Sequence, residues 1–168
     1  MATCISHSPA ETAALGEAWG REAERGLVIG LSGDLGAGKT QLVKGLARGL
    51  GITEPVRSPT FALVNIYSGG RLTLFHLDLY RLETREQIIA AGLEDYLQPE
   101  GVTVIEWAER WLDAPAPQPT HHEPRNTQHA TRPAEDTPPL APPDRVRIAR
   151  IEVLSERERR ISYEDSRR

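Results

Sequence analysis

Cysteine and lysine are nearly missing from this chain of 168 residues, and each scarcity narrows its chemistry. The single cysteine, Cys4, excludes an intramolecular disulfide and any metal site built from several thiolates. Lysine occurs only at Lys39 and Lys44, so a phosphate site that needs a lysine has two candidates. Aromatic residues make up 5% of the chain, and no apolar run approaches the roughly 20 residues that cross a bilayer. The opening segment, Met1 to Glu11, carries neither the basic nor the apolar region of a secretory signal. A net charge of −4 argues against a surface given over to nucleic acid or anionic lipid. The basic residues are nonetheless uneven, with eight arginines against five acids between Arg145 and Arg168. The expectation is a soluble cytoplasmic protein with no membrane partner.

The length suits one domain. Asp113 to Pro143 hold nine of the thirteen prolines but only six apolar residues. They show no periodicity, and their prolines obstruct both helix and sheet pairing. The organisation expected is a core over residues 1–112, a flexible proline-rich insertion over 113–143, and a terminal β-hairpin over 144–168 completing the same domain. There are no internal repeats.

Ser8-Pro9-Ala10-Glu11 reads as a helix start, with Ser8 as cap, Pro9 in the first turn and Glu11 at the reciprocal capping position. Leu15, Ala18, Trp19 and Ala23 recur at helical spacing, predicting a helix from Pro9 to Glu24 that Gly26 stops. Leu27 to Ser32 reads as a buried strand. Leu42, Val43, Leu46, Ala47 and Leu50 mark a second helix that closes at Gly49-Leu50-Gly51. Two strands, Phe61 to Tyr67 and Leu72 to Tyr80, are expected to form a hairpin across Ser68-Gly69-Gly70-Arg71. Thr84 to Ala91 and Leu93 to Leu97 read as short helices, and Gly101 to Ile105 as a strand. Arg145 to Leu154 alternates as a strand, with Arg159 to Tyr163 as its antiparallel partner.

Gly33-Asp34-Leu35-Gly36-Ala37-Gly38-Lys39-Thr40 satisfies the phosphate-loop pattern G-x-x-x-x-G-K-[ST]. Chance gives such a match in well under about 1% of chains this long. Its place between a predicted strand and a predicted helix adds weight, because backbone N–H groups and a helix N-terminus there can surround an anion. Lys39 would set a point charge beside the β- and γ-phosphates, and the Thr40 hydroxyl would enter a magnesium shell. Such a site also needs an acid at the carboxyl end of a neighbouring strand. Asp78 and Glu106 both stand there. Trp107 is read either as a base-stacking residue or as packing. His76 is read as structural, facing away from its strand's apolar residues. His121, His122 and His129, with Glu123, are read as solvated rather than metal-binding.

Together these residues resemble the TsaE (YjeE) family. The resemblance is carried by the loop Gly33–Thr40, by Ser58-Pro59-Thr60-Phe61, and by His76-Leu77-Asp78-Leu79-Tyr80-Arg81-Leu82. Gly92-Leu93-Glu94-Asp95-Tyr96 and Ile105-Glu106-Trp107 complete the set. It implies a magnesium-dependent ATPase that binds ATP and ADP and works with TsaB and TsaD. The reaction supported is transfer of a threonylcarbamoyl group to the adenosine beside the anticodon of tRNA, with tRNA met only through the complex. By matching motifs, the nucleotide would meet Leu35, Gly36, Ala37, Gly38, Lys39 and Thr40, together with Thr60 in a switch-like segment. Arg157 in the terminal hairpin turn would reach it as well. Magnesium would lie at Thr40, Asp78 and Glu106. The sequence departs from the family pattern at Gln41, where a second Thr or Ser is common, and at Ala108, often proline. It departs also at Glu156, often glycine, and in the length of 113–143.

The expected fold is a three-layer α/β phosphate-loop architecture, its mostly parallel sheet carrying antiparallel additions. Lys39, Asp78 and Glu106 are the expected catalytic residues, with Asp78 either sharing the metal or orienting water. Two rivals are a small-molecule kinase sharing the loop, and a nucleotide-binding regulatory subunit with negligible turnover.

Overall fold

Seven strands form one mixed sheet in the computed structural model, which describes residues 1–97, 99–112, 143 and 145–167. The strands are β1 (Ala2–Ser6), β2 (Leu27–Ser32), β3 (Val64–Tyr67), β4 (Leu74–Asp78), β5 (Val102–Glu106), β6 (Arg145–Val153) and β7 (Arg159–Arg167). Their order across the sheet is β1-β7-β6-β2-β5-β4-β3. The central four, β6, β2, β5 and β4, run parallel; β3 and β7 run against them, and β1, antiparallel to β7, returns to the central direction. The helices are α1 (Pro9–Glu22), α2 (Lys39–Gly49), α3 (Arg85–Ala90) and α4 (Glu109–Leu112), with a 3-10 turn at Leu93–Leu97.

Alternation along β2 shows how the layers are built. Ile29 and Leu31 enter a core with Leu42, Val43 and Leu46 of α2 and Trp19 of α1, while Val28 joins a second core with Ile88, Leu93 and Leu97. Successive side chains point to opposite faces of a strand, so both faces of the sheet are covered and the three-layer α/β architecture follows. Among the described residues, no helix is long and apolar enough to cross a membrane.

α1 and α2 pack backbone against backbone because glycines line their contact. A Cβ on Gly45 would come within 2.7 Å of the Ala13 carbonyl carbon, and one on Gly49 within 2.8 Å of the Gly20 Cα. Gly16 likewise meets the Leu42 backbone. The contact runs along α2 from Leu42 to Gly49.

The structure differs from expectation in instructive places. β1 has no clear alternation, and it forms because β7 offers it partners, Cys4 opposite Ile161 and Ser6 opposite Arg159. Strand β3 begins at Val64 rather than Phe61. Leu63, at φ 66, donates its N–H to the Pro59 carbonyl at 2.7 Å, which makes 59–63 a turn, and Phe61 is 88% exposed. Ser8 caps α1 by accepting from Glu11 N–H at 3.2 Å, but the Glu11 carboxylate accepts from His7 N–H at 2.8 Å rather than from the cap residue. A full capping box appears instead at Thr84 and Gln87, opening α3. β7 runs to Arg167, beyond the expected Tyr163. The proline-rich insertion, with His121, His122, Glu123 and His129, lies outside the described residues apart from Pro143.

Candidate functional site

The loop Gly33–Gly38 leaves the end of β2 and enters α2 directly. Gly33 has φ 137, and a Cβ there would press on the Ile151 carbonyl of β6, so only glycine fits. Gly38 caps α2 at φ 111 with no side-chain hydrogen bond, which leaves the first N–H groups of the helix facing the loop. Lys39 opens the helix, 4% exposed. Its Nζ donates to the carbonyls of Gly33 at 2.5 Å and Asp34 at 2.9 Å, and sits 3.8 Å from the Trp107 ring centroid. Burial lowers its pKa below the ordinary lysine value, opposed by the carboxylates of Glu106, Glu109, Asp78 and Asp34.

β4 and β5 place the two acids side by side. Asp78 and Glu106 are register partners at the carboxyl ends of these parallel strands, both buried. The Thr40 hydroxyl donates to Glu106 Oε1 at 2.8 Å. Asp78 Oδ2 accepts from Ser58 at 2.9 Å and Thr60 at 2.6 Å, while Oδ1 accepts from the Tyr80 N–H at 2.9 Å. The segment 58–60 is thereby fastened to the sheet across the mouth of the site. His76, fully buried, meets Glu106 Oε1 through Nε2 at 2.9 Å.

These groups line a cleft of about 400 Å³ bounded by Leu35–Gln41, Ser58, Thr60, Asp78, Tyr80, Glu106 and Trp107. The structure therefore brings together Leu35, Gly36, Ala37, Gly38, Lys39, Thr40, Thr60, Asp78, Glu106 and Trp107. Gly33 stands at the root of the loop, where its carbonyl holds Lys39. Trp107, at φ 61 directly after β5, turns its ring to the Lys39 ammonium. Its neighbour Ala108 uses its N–H to bond the Leu31 carbonyl at 3.1 Å, a bond that proline would forgo.

Arg157 is placed differently. It lies exposed in the β6–β7 turn and does not line the cleft. Among the described residues, the arginine that reaches the loop is Arg159, whose Nε donates to the Ala37 carbonyl at 3.0 Å and whose Nη1 donates to Ser155 and Glu158 carbonyls. Ser58, Tyr80 and the His76–Glu106 contact were also not anticipated. Ser58 and Tyr80 do flank the motif residues Thr60 and Asp78, which is the signal the sequence held.

Among the described residues, no three His, Cys, Asp or Glu side chains converge as a metal site. Two carboxylates and a hydroxyl do converge. Hard oxygen donors that few in number suit magnesium, which keeps waters and phosphate oxygens in its shell. The glycine loop and uncapped α2 terminus suit a phosphate chain.

Fold and cleft together define a three-layer α/β protein with a glycine-rich loop and paired carboxylates at the carboxyl ends of its parallel strands. Residues 6–133 match the family model described as threonylcarbamoyl adenosine biosynthesis protein TsaE. The chain belongs to the TsaE family. It is 50% identical over 107 residues to the tRNA threonylcarbamoyladenosine biosynthesis protein TsaE of Treponema pallidum, covering 64% of this chain and 78% of that one. Against the protein of the same name from Nostoc sp. it is 53% identical over 100 residues, 57% of this chain and 61% of that one. The crystal structure of Bacillus subtilis YdiB superposes with a TM-score of 0.69 at 28% identity, covering 99% of this chain and 86% of that chain.

Proposed function

We propose that this protein is a magnesium-dependent ATPase of the cytoplasm that supports threonylcarbamoyl transfer to the adenosine beside the tRNA anticodon, acting with TsaB and TsaD. Family membership supports the pathway. The observation that carries the ATPase reading is the convergence of Lys39, Thr40, Asp78 and Glu106 beneath one glycine-rich loop. Lys39 exchanges its two loop carbonyls for phosphate oxygens, where its charge stabilises the transferred group. Thr40 and Glu106 hold magnesium, which supplies charge neutralisation on the phosphates when bound. Asp78 provides the second carboxylate and anchors Thr60 at the cleft. Arg159, in place of Arg157, ties the terminal hairpin to the loop.

The test is phosphate release from ATP by the protein alone and with TsaB and TsaD, for the native chain and Glu106→Gln. Hydrolysis should rise with the partners, and Glu106→Gln should lower it by about 10²-fold or more while ATP still binds. Phosphate transfer to a small metabolite would identify a kinase instead. Nucleotide binding without turnover in every combination would identify a regulatory subunit.

A further inference from the structure

We propose that His76 is a positioning residue: it fixes the Glu106 carboxylate so that one oxygen is held by the protein and the other is left to the cleft. The inference rests on the reading of Glu106 as a residue of the hydrolytic site. His76 lies in the middle of β4, opposite Val104 of β5 and Asn65 of β3, with no exposed surface. An imidazole in such a place has to be explained, since a buried polar group without a partner is costly. Its partner is Glu106 Oε1, 2.9 Å from Nε2. A carboxylate only accepts hydrogen bonds, so His76 Nε2–H is the donor to Glu106 Oε1. Nδ1 has no hydrogen-bond partner among the described residues, so Glu106 is the ring's polar anchor there.

The same oxygen accepts from the Thr40 hydroxyl at 2.8 Å. Both donors fall on Oε1, which leaves Oε2 for a ligand in the cleft that Glu106 lines. The two bonds are not equivalent. Thr40 is the hydroxyl assigned to magnesium; it would meet the ion through an oxygen lone pair, so its bond to Glu106 would be shared with whatever the cleft holds. Among the described residues His76 does not line the cleft and has no competing partner, so its bond does not depend on what the cleft holds. Outer groups of this kind orient the residues that touch a metal and set their geometry.

The test compares His76→Leu, His76→Gln and His76→Asn in the full chain. Glutamine can carry its amide N–H near the position of Nε2, leucine keeps volume without a donor, and asparagine is too short. His76→Leu should lower kcat for partner-stimulated hydrolysis by about 10-fold to 100-fold, with KM for ATP changed less than about 3-fold. The magnesium dependence of ATP binding, read by calorimetry, should weaken in parallel. His76→Gln should recover most of both effects and His76→Asn little. In a Glu106→Gln background, His76→Leu should change kcat by less than about 2-fold, because a residue that acts only through Glu106 has nothing left to position. Nitrogen-15 spectra of the native ring should show the Nε2–H tautomer.

A folded His76→Leu with native kcat and magnesium dependence would overturn the proposal. So would independent multiplication of the two substitutions, or an Nδ1–H tautomer. If leucine prevents folding, glutamine against asparagine and the tautomer still decide. A native chain that binds no nucleotide would defeat the functional reading, and the tautomer, measured without nucleotide, would still report on the His76–Glu106 bond.

Discussion

Gly45→Ala separates two opposed physical effects. Alanine is the better helix former by about 0.8–1.0 kcal/mol in an exposed helix interior, so local propensity alone makes the variant more stable. The packing says the reverse. The new Cβ would stand 2.7 Å from the Ala13 carbonyl carbon and 2.9 Å from its Cα, with the carbonyl oxygen nearer still. All three are backbone atoms that no rotamer change can move aside. Relief requires α1 and α2 to part by roughly 1 Å, and a gap of that size forfeits a quarter to a half of each van der Waals well it opens. Overpacking costs about 1–3 kcal/mol, and against backbone atoms this close the upper part of that range, about 2–3 kcal/mol, applies. The net expectation is destabilisation of about 1–2 kcal/mol, a fall in Tm of roughly 2–8 °C for a chain this size. Because α2 begins at Lys39, nucleotide affinity should fall as well. Urea unfolding followed by fluorescence gives the sign, with Trp19 of α1 buried in the same core as a probe. A variant as stable as the native chain, or more so, would refute the close-packed glycine interface.

Arg159→Ala should weaken ATP binding by about 10-fold, the scale of one charge-assisted hydrogen bond, and Arg157→Ala by less than about 2-fold; isothermal titration of both distinguishes the two arginines. Burial holds the Lys39 ammonium below the ordinary lysine value, and the neutral amine attracts phosphate less. ATP affinity should therefore fall as pH rises, beginning at lower pH than an exposed lysine would give; an affinity flat through the alkaline range would contradict this. Replacing residues 115–142 with a short Gly-Ser linker should change stability by at most about 1–2 kcal/mol, since closure entropy varies slowly with loop length. Partner-stimulated ATPase activity should survive. Loss of either would show that the segment packs on the domain or docks a partner.

What the sequence made legible is what local pattern encodes. The loop Gly33–Thr40, the hairpin across Gly69-Gly70 and the short helices all follow from spacing and turn chemistry within a few residues. Asp78 and Glu106 were recognisable because each ends an apolar run, and parallel pairing then sets them opposite one another. What escaped depends on register between distant segments. β1 exists only because β7 pairs with it across more than 150 residues of chain. His76 meets Glu106 only once β4 and β5 align, and nothing within β4 announces it. That Arg159, the first residue of β7, bonds the loop while Arg157 lies exposed in the turn depends on the register of the terminal hairpin. The paired glycines of α1 and α2 did leave a signal. Gly16 and Gly20, like Gly45 and Gly49, stand four apart and so share one helix face.

The most direct test of the account is a calorimetric titration of ATP, with and without magnesium, into the native chain and Lys39→Ala. Lys39 supplies the buried cation at the loop, and Lys44 lies more than a turn further along α2. The native chain should bind ATP, more tightly with magnesium, and Lys39→Ala should lose tight binding under both conditions while remaining folded. Native affinity in the folded variant would contradict the assignment of the glycine-rich loop as the phosphate site.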